Sequence, residues 1–184
     1  MAFDRTTSQV LYDDGTHKCI SFTSLVKGEG VQANQFLIID HERAAVLDPG
    51  GDLTYVPLTM ELNKYTRLTN LDFVMASHQD PDIITSMPRW LVYTEAKVVA
   101  SKLWARFLPH LNSAFMSERM KGNWLDRLVE LPDHGQVITL GQSSIIAVPA
   151  HFLHSVGNFQ FYDPLAKILF SGDMGAWMVA DASK

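Results

Sequence analysis

The order of local patterns along this chain predicts a layered α/β fold. Three observations carry that expectation. The first half reads as short strands in hairpins. Helical stretches occupy the middle, and the final part returns to strands. Strands, helices and strands again fit sheets covered by helices better than a bundle or a pure sandwich.

Taken in order, Gln9–Asp13 and Lys18–Phe22 flank the turn Asp14-Gly15-Thr16. Gln35–Asp40 and Ala44–Leu47 flank His41-Glu42-Arg43, with Phe36, Ile38, Ala45 and Leu47 apolar, which is hairpin patterning. Asp48-Pro49-Gly50-Gly51 breaks the chain sharply. Asp52 is placed to cap a helix from about Leu53 to Lys64, with Val56, Leu58, Met60 and Leu62 among its apolar positions. Leu71–Ala76 has the composition of a buried strand, followed by a short helix from about Ile83 to Leu91. Val98–Ala100 is a further strand, and Ser101 can cap Lys102–Leu108, where Leu103, Trp104 and Phe107 share a face. Ala114–Lys121 and, less regularly, Trp124–Leu131 read as further helical pieces. Strands then follow at Gln136–Leu140, Ser144–Val148, Phe159–Tyr162 and Ile168–Ser171. No fixed-period repeat, low-complexity tract or linker divides the chain, so one domain spanning 1–184 is expected.

Composition narrows the function classes. The 184 residues suffice for a buried core, and 47% hydrophobic against 19% charged residues describes a globular chain. A net charge of −5, with no run of Lys or Arg, argues against a nucleic-acid surface. No stretch approaches the roughly 20 apolar residues that span a bilayer. Met1-Ala2-Phe3-Asp4-Arg5 has no apolar signal segment. The single cysteine, Cys19, excludes intrachain disulfides and Cys-rich metal sites, and a cytoplasmic location is the default expectation.

The run Ser77-His78-Gln79-Asp80-Pro81-Asp82 places one imidazole and two carboxylates at the end of an apolar strand. Nitrogen and oxygen donors on a rigid strand end suit iron, manganese or zinc. Alone, the run could equally be a polar turn containing proline. Two further places resemble it. One is Pro149-Ala150-His151-Phe152-Leu153-His154-Ser155, and the other is Ser171-Gly172-Asp173, directly after Ile168–Phe170. A lone loop histidine is more often a hydrogen-bonded residue than a ligand. Three donor groups, each following a hydrophobic strand, shift that balance.

These three motifs together resemble the metallo-β-lactamase superfamily, over most of the chain. The family's His-x-His-x-Asp-His is filled by His78-Gln79-Asp80-Pro81-Asp82-Ile83, its later His by His154, and its bridging Asp by Asp173. The Leu47-Asp48-Pro49-Gly50 turn also resembles the family's N-terminal half. Asp80 stands where the zinc hydrolases have His, and Ile83 cannot bind a metal. Carboxylate in place of imidazole favours iron or manganese, with zinc an alternative. The pattern is closest to the flavodiiron and oxygen-binding diiron branch, whose motif is His-x-Glu-x-Asp-His. The 19-residue step from His154 to Asp173 fits that branch as well.

The resemblance implies an αββα sandwich of two mixed β-sheets with outer helices and a metal site at one edge. It implies that His78, Asp80 and His154 hold a first iron, Asp82 belongs to a second, and Asp173 bridges both. His154 is taken over its neighbour His151 on strand spacing. His17, His41, His110 and His134 read as ordinary surface or loop histidines. The family's domain normally continues to a final ligand His, yet no His follows His154. The first expectation is a sequence lacking its last elements, with apolar Ala176-Trp177-Met178-Val179-Ala180 left uncovered; the alternatives are a protein that binds one metal and a partner that supplies the missing ligand.

The function so implied is binding or sensing of dioxygen. The alternatives are an O2 or NO reductase fed by an external electron donor, a metal-dependent hydrolase, and a metal-free scaffold. No flavodoxin-like phosphate loop is present, so the reductase reading calls for a redox partner, as the sensing reading calls for a signalling one. A homodimer through Trp90, Trp104 or Trp124 is a further expectation.

Overall fold

A computed structural model describes residues 7–28, 30–120 and 122–177. The expected strand pairs are present, each extended by a residue or so. β1 (Ser8–Asp13) and β2 (His17–Phe22) form one hairpin, and β3 (Gln35–Asp40) and β4 (Arg43–Leu47) the next. β5 (Leu71–Met75), β6 (Lys97–Ser101) and β7 (Leu128–Leu131) join β4 in parallel. The result is a seven-stranded mixed sheet in sequence order. A second, antiparallel sheet has the order β11-β10-β9-β8, from β8 (Gln136–Leu140), β9 (Ser143–Pro149), β10 (Phe159–Asp163) and β11 (Ile168–Phe170).

The large sheet is buried on both faces, which explains why its central strands are apolar nearly throughout. Leu37, Ile39, Ala44, Val46, Val74 and Val98 face the helices. The intervening Ile38, Ala45, Leu47, Met75 and Val99 face the second sheet, where they meet Ile138, Leu140, Ile145, Phe159 and Phe161. Alternate residues of one strand thus serve two separate cores.

The helices depart more from expectation than the strands. α1 (Asp52–Leu62) begins at Gly51 with no side-chain cap, and Asp52 sits in its first turn. Leu58 and Leu62 are buried, together with Thr54 and Tyr55, whereas Val56 and Met60 face solvent. The expected helix at Ile83–Leu91 is two: α2 (Pro81–Ile84) and α3 (Met87–Tyr93). They break at Ser86, where Pro88 limits the backbone and Ser86 Oγ donates to the carbonyls of Pro49 and Gly50. α4 (Lys102–Ala105) starts at Ser101, whose Oγ accepts from Leu103 N–H at 3.2 Å, and a 3₁₀ turn follows at Leu108–Leu111. α5 spans Ala114–Ser117. Trp124–Leu131 is not one helical piece: a 3₁₀ turn at Trp124–Arg127 gives way to β7. Arg127 fixes that change by donating to the carbonyls of Leu91, Thr94 and Ala96.

Trp90 is 1% exposed in the helix-side core, so it belongs to packing and not to an interface. Its indole N–H donates to Ser86 Oγ. Among the described residues, no helix is long and apolar enough to cross a membrane. The N-terminal five residues, Lys121 and the run Met178–Ala180 lie outside the described residues.

Candidate metal centre

Three loops meet at one edge of the sandwich. His78 follows β5, His154 lies between β9 and β10, and Asp173 follows β11. The two sheets are tied together there, because Phe159 N–H donates to the Ser77 carbonyl at 2.9 Å. One donor atom each from His78, Asp80, His154 and Asp173 lies within 4.8 Å of the others. His78 Nε2 is 3.5 Å from Asp80 Oδ2 and 3.6 Å from Asp173 Oδ2. His154 Nε2 is 3.4 Å from Asp80 Oδ2. The two imidazoles meet edge to face at 4.7 Å.

Asp82 is not in this group; it occupies the first turn of α2. His151 is outside it too, donating from Nε2 to the Asp133 carbonyl at 3.0 Å. Ile83 is packed in the helix-side core, so the last position of the first motif is structural.

The most telling atom is His78 Nε2. It is buried and has no hydrogen-bond partner, although Nδ1 is well placed 2.8 Å from Ser77 Oγ. Ser77 Oγ donates its one proton to Asp48 Oδ2 at 3.0 Å, so it must accept from His78 Nδ1–H. That tautomer leaves the Nε2 lone pair aimed at the carboxylates. Asp48 is held in turn by Ser77 N–H on Oδ1 at 2.8 Å. A carboxylate behind a hydroxyl behind an imidazole is the kind of outer support that orients a metal-binding histidine.

Without an ion, the surrounding carboxylates favour a proton on His78, which a metal would replace. Burial pushes Asp48 up to about 6, against the pull of its two Ser77 bonds and of His78. Burial alone would lower His78, but Asp173, Asp48 and Asp80 together raise it above the ordinary histidine value. Contact with His78 holds Asp173 below the usual carboxylate range. Asp80 is the residue before α2, but its side chain does not cap the helix, and Pro81 at the first helical position needs no such bond. Its carboxylate is thus free to face the imidazoles.

Two uncharged residues complete the surroundings. Gly172 has φ of +61°, and a Cβ there would lie 3.0 Å from Ser77 Oγ, so only glycine lets the Asp173 turn approach His78's support. Asn158 is fully buried close by, with neither carboxamide atom partnered. Sequence reading passed over Ser77, Asp48 and Asn158. Asp48 had one legible signal, an acid directly after an apolar strand; Asn158 had none.

The donor set fits a divalent metal: two imidazoles, two carboxylates, and an orphaned buried lone pair where an ion would stand. A family model described as ODP family beta lactamase matches residues 31–184. This chain belongs to that family. Its members' likeness extends to solved structures. The chemotaxis sensor ODP from T. denticola, in its apo state, is 37% identical with a TM-score of 0.75, covering 92% of this chain and 64% of the sensor's. A structure described as a peroxy diiron species of chemotaxis sensor ODP is 36% identical with a TM-score of 0.76, covering 94% of this chain and 66% of that one. This family member therefore spans about two thirds of the sensor chains it matches. A putative diflavin flavoprotein A 4 of Synechocystis is 33% identical over 96 residues, 49% of this chain and 16% of that protein. The fold is that of the metallo-β-lactamases. A subclass B3 enzyme from a soil metagenome, 14% identical, matches with a TM-score of 0.66 over 86% of this chain and 57% of its own.

A second buried group of metal-ligand types stands at the opposite edge. It corrects the reading of His17 as a surface residue, since His17 is 0% exposed. Its Nδ1 lies 3.0 Å from Asp40 Oδ1 and its Nε2 2.6 Å from Asp163 Oδ2. Cys19 Sγ donates to Asp163 Oδ2 at 3.2 Å. The signal was hidden because His17 and Asp163 are 146 positions apart.

Proposed function

We propose that this chain holds non-haem iron at the His78 edge and that the centre binds or senses dioxygen. The carrying observation is the buried, unpartnered His78 Nε2 facing carboxylates, in a chain whose 36–37% identical relatives are a chemotaxis sensor, one of them in a peroxy diiron form. His78, Asp80 and His154 would hold the first iron and Asp173 would bridge to a second, to which Asp82 would belong. Iron held by these residues would supply the electrons for binding dioxygen.

The protein's own residues do the rest. Ser77 and Asp48 hold His78 in the tautomer that presents Nε2. Burial of His78 keeps water from competing for that nitrogen. The carboxylates of Asp80 and Asp173 would offset the charge of cations held there. A signalling partner would read the outcome. The likeness to a diflavin flavoprotein favours one second reading, an O2 or NO reductase with an external electron donor. Hydrolysis is less well supported, because Asp80 replaces an imidazole and Ile83 is buried in the core.

Protein loaded anaerobically with ferrous iron and then exposed to oxygen should develop a charge-transfer absorption band. His78→Ala and His154→Ala should each abolish it. Featureless spectra from iron-loaded protein would overturn the proposal. Sustained consumption of O2 or NO with a supplied reductase would favour the second reading.

A further inference from the structure

Asn158 stands where the three ligand-bearing loops meet. Its carbonyl accepts from Ala150 N–H at 3.0 Å and its N–H donates to the Ser155 carbonyl at 3.3 Å, so it closes the loop that carries His154. The next residue, Phe159, donates to the Ser77 carbonyl at 2.9 Å. A Cβ at Gly172 would lie 3.4 Å from Asn158 Oδ1 and 3.0 Å from Ser77 Oγ, so both oxygens flank the Gly172 Cα. Yet the Asn158 side chain is 0% exposed, and neither Nδ2 nor Oδ1 has a partner among the described residues.

We propose that Asn158 and Ser77 hold a buried water between them, and that Asn158 is thereby a positioning residue for His78. The positioning role rests on His78 being a metal ligand, as proposed above; the water site does not.

A buried amide without hydrogen bonds is costly, and ordered water is the usual remedy where protein partners are missing. The carboxamide itself indicates the chemistry of its partner. It offers two N–H donors and a carbonyl acceptor and carries no charge. A cation would call for carboxylates and an anion for a positive group. An apolar gas would leave every bond unmade. Water donates and accepts at once.

A second partner for that water is at hand. Ser77 Oγ donates its proton to Asp48 Oδ2 at 3.0 Å and accepts from His78 Nδ1–H at 2.8 Å. A hydroxyl oxygen has two lone pairs, so one remains. A water that accepts from Asn158 Nδ2 can donate to it, which meets the minimum of two polar partners for a buried water. The supporting chain Asp48, Ser77 and His78 then gains a further member, drawn from the loop that carries His154. The Ser77 hydroxyl is held from another side, and so is the bond that aims His78.

High-resolution crystals of the metal-free protein should show one ordered water within hydrogen-bond distance of both the Asn158 carboxamide and Ser77 Oγ. A dry carboxamide would overturn the proposal whatever the centre binds. Substitutions then test the positioning role. Asn158→Leu and the smaller Asn158→Val both remove the polar ends, so a folding defect in one does not end the experiment. Each should expel the water and weaken ferrous iron binding by about 10-fold, measured anaerobically against a chelator of known affinity. Asn158→Ser keeps a hydroxyl and leaves room for a second water, and should recover most of that loss. Equal weakening in the serine variant would mean that the side chain only fills space. Unchanged affinity in a variant that has lost the water would also remove the positioning role. If the parent holds no iron, the iron proposal and the positioning role fall together, and the water site is judged by the crystals alone.

Discussion

At one edge of the sandwich stand His78, Asp80, His154 and Asp173; at the other stand His17, Asp40, Asp163 and Cys19. Both groups mix imidazole with carboxylate, and in each the donor atoms crowd together. They differ in what is left over. His17 uses both ring nitrogens, each on its own aspartate. Those aspartates are satisfied in turn, Asp40 by the backbone N–H of Gln142 and Asp163 by those of Leu165 and Ala166. His78 uses one nitrogen and leaves the other buried without a partner. A saturated cluster is held by protons and stitches β2 and β3 to β10. An unsaturated one stores an unpaid desolvation cost that a cation would relieve. The types of residue present do not separate the two; the count of unpartnered atoms does.

The largest expected effect tests the stitched edge. His17→Ala leaves two buried carboxylates facing one another, and should cost roughly 3–5 kcal/mol of stability. Denaturant unfolding measures it, and metal content of the surviving folded protein should not change. A loss below about 1 kcal/mol would mean that the cluster behaves like a surface pair.

Removing support at the other edge should invert that pattern. Ser77→Ala takes away the partner of His78 Nδ1 and leaves Asp48 only its bond from the backbone N–H of residue 77, and should weaken metal binding by about 10–100-fold. Competition with a chelator of known affinity measures it.

His78→Ala should abolish metal retention while costing the metal-free fold only about 1 kcal/mol, because the lost Ser77 bond is offset by removal of an unsatisfied buried nitrogen. A large destabilisation without metal would show that His78 is structural in the manner of His17.

The smallest effect is in pH dependence, and it sharpens the contrast. Burial lowers His17, but hydrogen bonds and charges of Asp163 and Asp40 raise it overall. Its contribution is therefore full below the unfolded histidine value and fades as pH rises through the raised folded one. Asp40 and Asp163 are lowered, chiefly by backbone and His17 bonds that outweigh burial. Their contribution is present above the ordinary carboxylate range and is lost as pH falls through the lowered values. Stability at this edge should peak between those limits, and unfolding midpoints of His17→Gln against the parent should converge at both extremes.

Much of the fold was legible because strands announce themselves locally. The turn Asp14-Gly15-Thr16 and the apolar runs at 35–40, 44–47 and 71–76 need no distant partner to be recognised. The helical region was harder. Pro88 and the Ser86 bonds to the Pro49–Gly50 backbone split one expected helix, and Arg127 turned part of another into an edge strand. Those bonds link positions about 31–37 apart, which no local period records.

From the sequence alone came the strand-end motifs at His78, His154 and Asp173, their family resemblance, and the expectation that Asp80 makes the donor set harder. These are matters of residue type and short spacing. Only the tertiary structure decided that Asp82 stands apart from the other four, that Asp48 and Ser77 aim His78, and that His17 is a buried stitch and not a surface histidine. Each depends on which atoms find partners once two sheets close on one another, and partners drawn from opposite ends of a chain leave no mark in its local pattern.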